Sequence, residues 1–165
     1  MESITIQKNN AKIGISEQDR DAVIDILSKA LADEYVLYTK TRNYHWNVVG
    51  PHFNDLHKFF EAQYDQTAED IDEIAERVRA LGGKAVSTLT EFMKHTRLSE
   101  HPAEYPDSKT MIVNLVADHE TIIQNLREDI KSCNQHNDVG TEDFLTGMLE
   151  KHEKTAWMLR STLEE

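Results

Sequence analysis

Five residues in the first half of the chain have side chains and spacings suited to holding a metal ion: His45, His57, Glu61, Asp72 and Glu76. His57 and Glu61 stand one helical turn apart in "LHKFFEAQY", and Asp72 and Glu76 repeat that spacing in "IDEIAER". Imidazole and carboxylate together make a mixed nitrogen and oxygen donor set of the kind that transition-metal ions accept. Spacing alone also allows a plainer reading. Pairs at i,i+4 are common on the wet side of a surface helix, and this chain is rich in acids. His45 falls on an apolar stripe, where a histidine is more often a satisfied core residue than a ligand.

Four of the five must be carried by one helix. From about Asn54 to the Gly82-Gly83 pair there is no Pro or Gly, which predicts a helix of roughly 42 Å. Phe60, Tyr64, Thr67, Ile71, Ile74 and Val78 form its core stripe. With His57 set to zero, Glu61 lies at about 40°, Asp72 at about 60° and Glu76 at about 100°, a second stripe beside the core. Asp65 falls there too. Glu61 and Asp72 are nevertheless separated by about 16 Å along the axis, and no single ion with bonds of about 2 Å reaches both within one chain. An antiparallel copy of the helix across a twofold axis would bring His57 and Glu61 of one chain toward Asp72 and Glu76 of the other, making two equivalent sites. If these residues hold a metal, the site is intersubunit.

Three further helical patterns complete the chain. The first starts at a capping signature, Ser16 with Asp19, and runs to about Trp46, with Val23, Leu27, Ala30, Leu31, Tyr38 and His45 at helical spacing. "NVVGPHFN" separates it from the second helix. After Gly82 a long connection runs to Asp107, holding Pro102 and Pro106, and its "STLTEFMKH" can form a short helix. A helix from about Ser108 to Cys133 carries Ile112, Leu115, Val116, His119, Ile122, Ile123, Leu126 and Ile130 on one stripe. After "NQHNDVG" another, from Thr141 to Leu163, carries Leu145, Met148, Leu149, His152, Ala156 and Leu159. Two helices, a long crossover and two more helices give an all-α, ferritin-like four-helix bundle over residues 16–165, with a short extra helix in the crossover and a flexible leader over 1–15. A plain up-down bundle is the simpler rival.

The 165 residues include 18 Lys and Arg against 30 Asp and Glu, a formal net charge of -12. Such a surface repels nucleic acid and anionic membranes and favours cations. Lys8 and Lys12 give the leader only a slight basic bias. The single Cys133 cannot make an intrachain disulfide, no stretch is long enough to span a bilayer, and "MESITIQKNN" does not resemble a signal peptide. Together these give the expectation of a cytoplasmic protein.

The strings "NYHWNVVGPHF", "LHKFFEAQY" and "IDEIAERVRALGG" resemble the signature of the Dps family, the miniferritins named as DNA-binding proteins from starved cells. The resemblance runs from about residue 20 to the C-terminus, and the order and spacing of His45, His57, Glu61, Asp72 and Glu76 match the family's ferroxidase pattern. It implies iron bound by His45, His57 and Glu61 of one chain with Asp72 and Glu76 of its twofold neighbour, a dinuclear site. It further implies a hollow homododecamer built through twofold and threefold contacts, Fe²⁺ and hydrogen peroxide as substrates, and Fe³⁺ mineral stored inside. Trp46 resembles the family's aromatic residue that quenches oxidising equivalents; interface packing is its other reading. Asp138, Glu142, Asp143, Glu150 and Glu153 are candidates for an acidic entry path, though for most of them solvated surface is the better reading. Members that bind DNA often carry a basic tail. None follows the last helix here, so the alternative of a nucleoid-coating shell with little ferroxidase activity is the weaker one. A conventional ferritin or di-iron oxygenase is weaker still: none of the eight His has Glu three residues before it. His119 and His152 are expected in the core or an interface, His52, His95, His101 and His136 in exposed loops, and Cys133 as a small packed residue.

Overall fold

The computed structural model describes residues 11–163. Among them are five helices and no strand: α1 (Glu17–Asn47), α2 (Phe53–Ala80), α3 (Leu89–His95), α4 (Ser108–Gln135) and α5 (Val139–Ser161). Local chemistry sets the ends. Ser16 caps α1 by accepting the Asp19 N–H at 3.1 Å, and Thr88 with Glu91 closes a capping box on α3. At the end of α2, Gly82 takes φ +92°. The Gly82 and Gly83 N–H groups donate back to Arg79 and Val78, a left-handed stop that a side chain would strain. A Cβ on Gly83 would also sit 2.8 Å from Ile24 Cδ1, so this turn packs directly on α1.

Pairs of contacts along the helices fix the topology. His136 at the end of α4 meets Asp19 at the start of α1, and Asn114 near the start of α4 donates to Tyr44 Oη near the end of α1. Helices α1 and α4 therefore run antiparallel. Arg77 and Asp70 of α2 meet Asp138 and Lys151 of the α5 region, which makes that pair antiparallel as well. With α1 packed on α2, and α4 on α5, through short links, the order is up-down-down-up. The segment 81–107 must then run the length of the bundle. This is the ferritin-like four-helix bundle with a short helix in its crossover, and the plain up-down rival is excluded.

The crossover is anchored in the molecule. The Arg97 Nε donates to Asp33 Oδ2 at 2.8 Å and its Nη1 to Asp129 Oδ2 at 2.9 Å, joining the loop to α1 and α4. Lys40 reaches both Asp118 at 2.6 Å and the Ser99 carbonyl at 2.8 Å. Phe92 of α3 stacks on Tyr35 with ring centroids 4.1 Å apart. The core is continuous: Val23, Leu27, Leu31, Phe60, Ile74, Leu115, Leu126, Leu145 and Leu159 are buried together.

Several boundaries differ from the sequence pattern by a few residues. Helix α5 starts at Val139 instead of Thr141 because Asp138 is its cap. Gly140 lies inside its first turn, where a Cβ would meet Arg77 Nη2 at 2.9 Å. Of the expected leader, residues 1–10, with Lys8, lie outside the described residues. Residues 11–15 carry no helix, and Ile15 packs against the core.

Candidate metal centre

The short link between α1 and α2 brings His45, in the last turn of α1, onto His57, in the second turn of α2. Their imidazoles stack with centroids 3.8 Å apart and planes at 22°. Each Nδ1 bonds the other residue's backbone carbonyl, His45 Nδ1 to His57 O at 2.8 Å and His57 Nδ1 to His45 O at 2.9 Å. A carbonyl only accepts, so each Nδ1 must carry the proton and donate. The lone pair then sits on Nε2 of both rings, free for a ligand. Second-sphere bonds of this kind orient imidazoles in metal sites. His45 is buried and His57 half-buried.

Helix α2 is unbroken from Phe53 to Ala80, so the axial offset of about 16 Å between Glu61 and Asp72 holds in the fold. Glu61, Asp72 and Glu76 are all exposed. Among the described residues of this single chain, no three His, Cys, Asp or Glu side chains are grouped to hold a metal ion. The chain thus brings His45 and His57 together, keeps Glu61 one turn from His57, and leaves Asp72 and Glu76 far along the same helix.

An aromatic cluster borders the two histidines. The Tyr64 ring meets His45 edge-on at 5.2 Å, and Tyr38 meets Tyr64 edge-on at 6.0 Å. The Arg42 guanidinium lies 5.6 Å, 5.2 Å and 5.2 Å from the Tyr38, Trp46 and Tyr64 ring centroids, and it also donates to the Tyr38 hydroxyl. Trp46 is 65% exposed. The periodicity puts Tyr38 and Tyr64 on core stripes, which hides them as site neighbours; Tyr38, Arg42 and Trp46 at steps of four on α1 were the available signal. Both tyrosines are half-buried rather than core.

The other flagged residues take different parts. His119 and His152 are buried, as expected, with Nδ1 atoms 2.9 Å apart. His152 Nε2 lies 2.7 Å from Glu34 Oε1, a close ion-pair contact without hydrogen-bond alignment. Burial holds the His119 imidazole well below its usual range, helped by the charge of His152. For His152 burial pulls downward too, but the Glu34 carboxylate outweighs it and raises that ring. Asp138 is removed from the acidic path: it is buried, accepts from Arg77 at 2.8 Å and caps α5. Glu142 accepts from Asn134, and Glu153 pairs with Arg127. His136 is not a free loop residue, because it bonds Asp19, and His95 is half-buried. His52 and His101 are exposed, as expected. Cys133 is packed as expected; burial pushes its thiol up to about 12, so it is no nucleophile.

Comparison with known proteins agrees with this architecture. The ferritin-like domain family model matches residues 24–165. A low temperature-induced protein of Nostoc is 47% identical over 153 residues, 92% of this chain and 86% of the relative. The DNA protection during starvation protein 2 of Bacillus anthracis is 40% identical over 144 residues, 87% of this chain and 97% of the relative. The chain is a member of the Dps family. The Dps crystal structure from Vibrio cholerae superposes with a TM-score of 0.88 at 28% identity, over 93% of this chain and 96% of that one, and is described as a member of a broad superfamily of ferritin-like diiron-carboxylate proteins. As a Dps miniferritin the chain belongs to an iron-handling class. Its exposed carboxylates and two imidazoles with free Nε2 atoms are a donor set that iron accepts. No helix among the described residues is long and apolar enough to cross a membrane.

Proposed function

We propose that this Dps chain is a ferroxidase: it oxidises Fe²⁺, preferably with hydrogen peroxide, at sites shared between twofold-related chains, and stores the Fe³⁺ as mineral inside a hollow homododecamer in the cytoplasm. In this reading His45, His57 and Glu61 of one chain and Asp72 and Glu76 of its neighbour bind the substrate iron. The observation that carries it is the reciprocal bonding of His45 and His57, which fixes both tautomers with Nε2 available. A stacked pair serving only the core would have no need for two free nitrogens beside an exposed carboxylate on the next turn.

The chemistry follows from electron count. Peroxide takes two electrons and each Fe²⁺ gives one, so two irons held together reduce it to water with two added protons and release no hydroxyl radical. The carboxylates supply negative charge to hold the ferric product. In this reading Trp46, next in sequence to His45 and 65% exposed, quenches oxidising equivalents that escape. The net charge of -12 favours cation entry and argues against a DNA-coating role.

The deciding experiment uses subunit exchange. A His45→Ala/His57→Ala protein and an Asp72→Ala/Glu76→Ala protein should each be inactive. Mixed twofold pairs then contain one intact site and one doubly damaged site, so activity should partly return. No recovery despite verified exchange would overturn the shared site.

A further inference from the structure

We propose that Tyr64, with Tyr38 behind it, is the first electron donor to the iron site when peroxide meets a lone Fe²⁺, ahead of Trp46. This inference rests on the ferroxidase reading above and names the residues that protect it when iron is scarce. Within the described residues Tyr64 is the only oxidisable ring in contact with either site histidine, edge-on to His45 at 5.2 Å. A second tyrosine continues the line, with Tyr38 6.0 Å from Tyr64 and Tyr35 6.1 Å from Tyr38. Such spacings are well within the reach of electron tunnelling between aromatic side chains. Trp46 makes no ring contact with His45 or His57 and lies across the Arg42 guanidinium, at 5.2 Å from it.

Arg42 also decides which ring is oxidised. A cation over an aromatic face is held by the ring's electron density, and that attraction turns to repulsion if the ring becomes a radical cation. Trp46 and both tyrosines sit beside this charge. A phenol escapes the penalty because it loses its proton as it loses its electron, leaving a neutral radical. An indole sheds its proton far less readily. Arg42 therefore favours tyrosine.

The step balances. Hydrogen peroxide takes one electron from Fe²⁺ and one electron with the phenol proton from Tyr64; one further proton from solvent completes two waters, leaving Fe³⁺ and a neutral tyrosyl radical. The O–O bond of peroxide and the phenol O–H bond break, and water O–H bonds form. Tyr38 can then reduce Tyr64 by the same exchange of one electron and one proton.

The test is freeze-quench electron paramagnetic resonance on the assembled protein loaded with one Fe²⁺ per site and mixed with peroxide, with Fe²⁺ loss read optically in the same sample. A radical is expected whose hyperfine structure collapses when the protein is grown on ring-deuterated tyrosine and is unmoved by deuterated tryptophan. Y64F should lose most of that signal and show more oxidised Trp46 by peptide mass spectrometry. In case the lost hydroxyl disturbs assembly, a ring-fluorinated tyrosine at position 64 keeps the shape and should add fluorine splitting to the signal. A tryptophan-type radical, or a tyrosyl signal that fluorine placed at neither position 64 nor position 38 splits, would overturn the inference while leaving the ferroxidase reading intact. Wild-type protein that fails to oxidise Fe²⁺ at all, even with two per site, would overturn that reading and this inference with it.

Discussion

Two histidine pairs in this molecule show how environment assigns opposite tasks to one side chain. His45 and His57 give their Nδ1 protons to each other's carbonyls and keep Nε2 free. His119 and His152 spend their Nδ1 atoms on one another deep in the bundle, with Glu34 beyond them and its Oε2 without a partner. That inner group accepts one proton gladly and resists a second. His119, depressed by burial, costs stability as pH falls below the unfolded value near 6.5, because only the unfolded chain can then take its proton. His152, raised by Glu34, contributes stability below that value and loses it as pH rises through the folded one. The contribution of this pair to stability should therefore be greatest near pH 6.5 and decline on both sides, by up to roughly 1.4 kcal/mol per pH unit on the acid side. His119→Asn keeps a hydrogen-bonding partner for His152 but removes the titrating ring. Denaturant melts between pH 5 and 7 should show a flatter acid limb for this variant, and an unchanged limb would assign the acid sensitivity elsewhere. None of this was visible in the sequence, where both residues read only as histidines on apolar stripes, since a stripe does not say which helices meet. The placement of His57, Glu61, Asp72 and Glu76 along one helix was readable because a fixed rise turns spacing into geometry, while their reading as iron ligands came from the resemblance to the Dps family. Arg42 and Tyr64 were missed because their roles depend on a contact between helices.

At the scale of elements, the long crossover decides which bundle forms. Its length and its short helix were apparent from the prolines and from "STLTEF", while its anchoring was not, because Arg97, Asp33 and Asp129 are far apart in sequence and look like ordinary surface charges. In the fold Asp33 is 1% exposed and accepts from the Arg97 side chain and backbone and from Thr96. Burial pushes the Asp129 carboxyl up, against the pull of Arg97. Removing the cation leaves two shielded carboxylates uncompensated, so Arg97→Ala should cost about 3 kcal/mol. Thermal unfolding would measure the loss, and amide exchange should quicken in α3 and the rest of the crossover before α1 or α2 is affected. A variant with unchanged exchange in α3 would show that packing by Phe92 and Leu98 holds the segment without the ion pairs. The few misplaced helix ends have a similar origin. Asn137 takes φ +58°, and Asp138 caps α5 immediately after it, so a stretch resembling a loop is a tight turn between two helices.

For the whole molecule, two features bear on what the chain meets outside itself. The first is apolar exposure: Trp46, Val49 and Phe53 stand open within eight residues of one another around the α1–α2 link, beside the histidines, where contact with another chain would cover them. If assembly covers the face that carries the histidines, Trp46 reports on it. In a Trp157→Phe protein, Trp46 is the one remaining tryptophan; its emission should lie further to the blue in the assembled state than in dissociated subunits and should resist acrylamide. Equal quenching in both states would exclude Trp46 from the interface. The second feature is charge. With a formal net charge of -12, an assembly of many such chains presents DNA with a large like-signed body, and binding would need a local basic surface dense enough to release counterions. Lys12 is the sole Lys or Arg in residues 11–15, and Lys8 is the only one before it. The assembled protein should therefore leave duplex DNA unshifted in a gel near neutral pH at physiological salt. Complexes that form only after Mg²⁺ or Fe²⁺ is added would indicate metal bridging between two anionic surfaces, consistent with the charge argument. Tight complexes without divalent metal that dissociate steeply with added salt would instead mean that the few lysines outweigh the net charge.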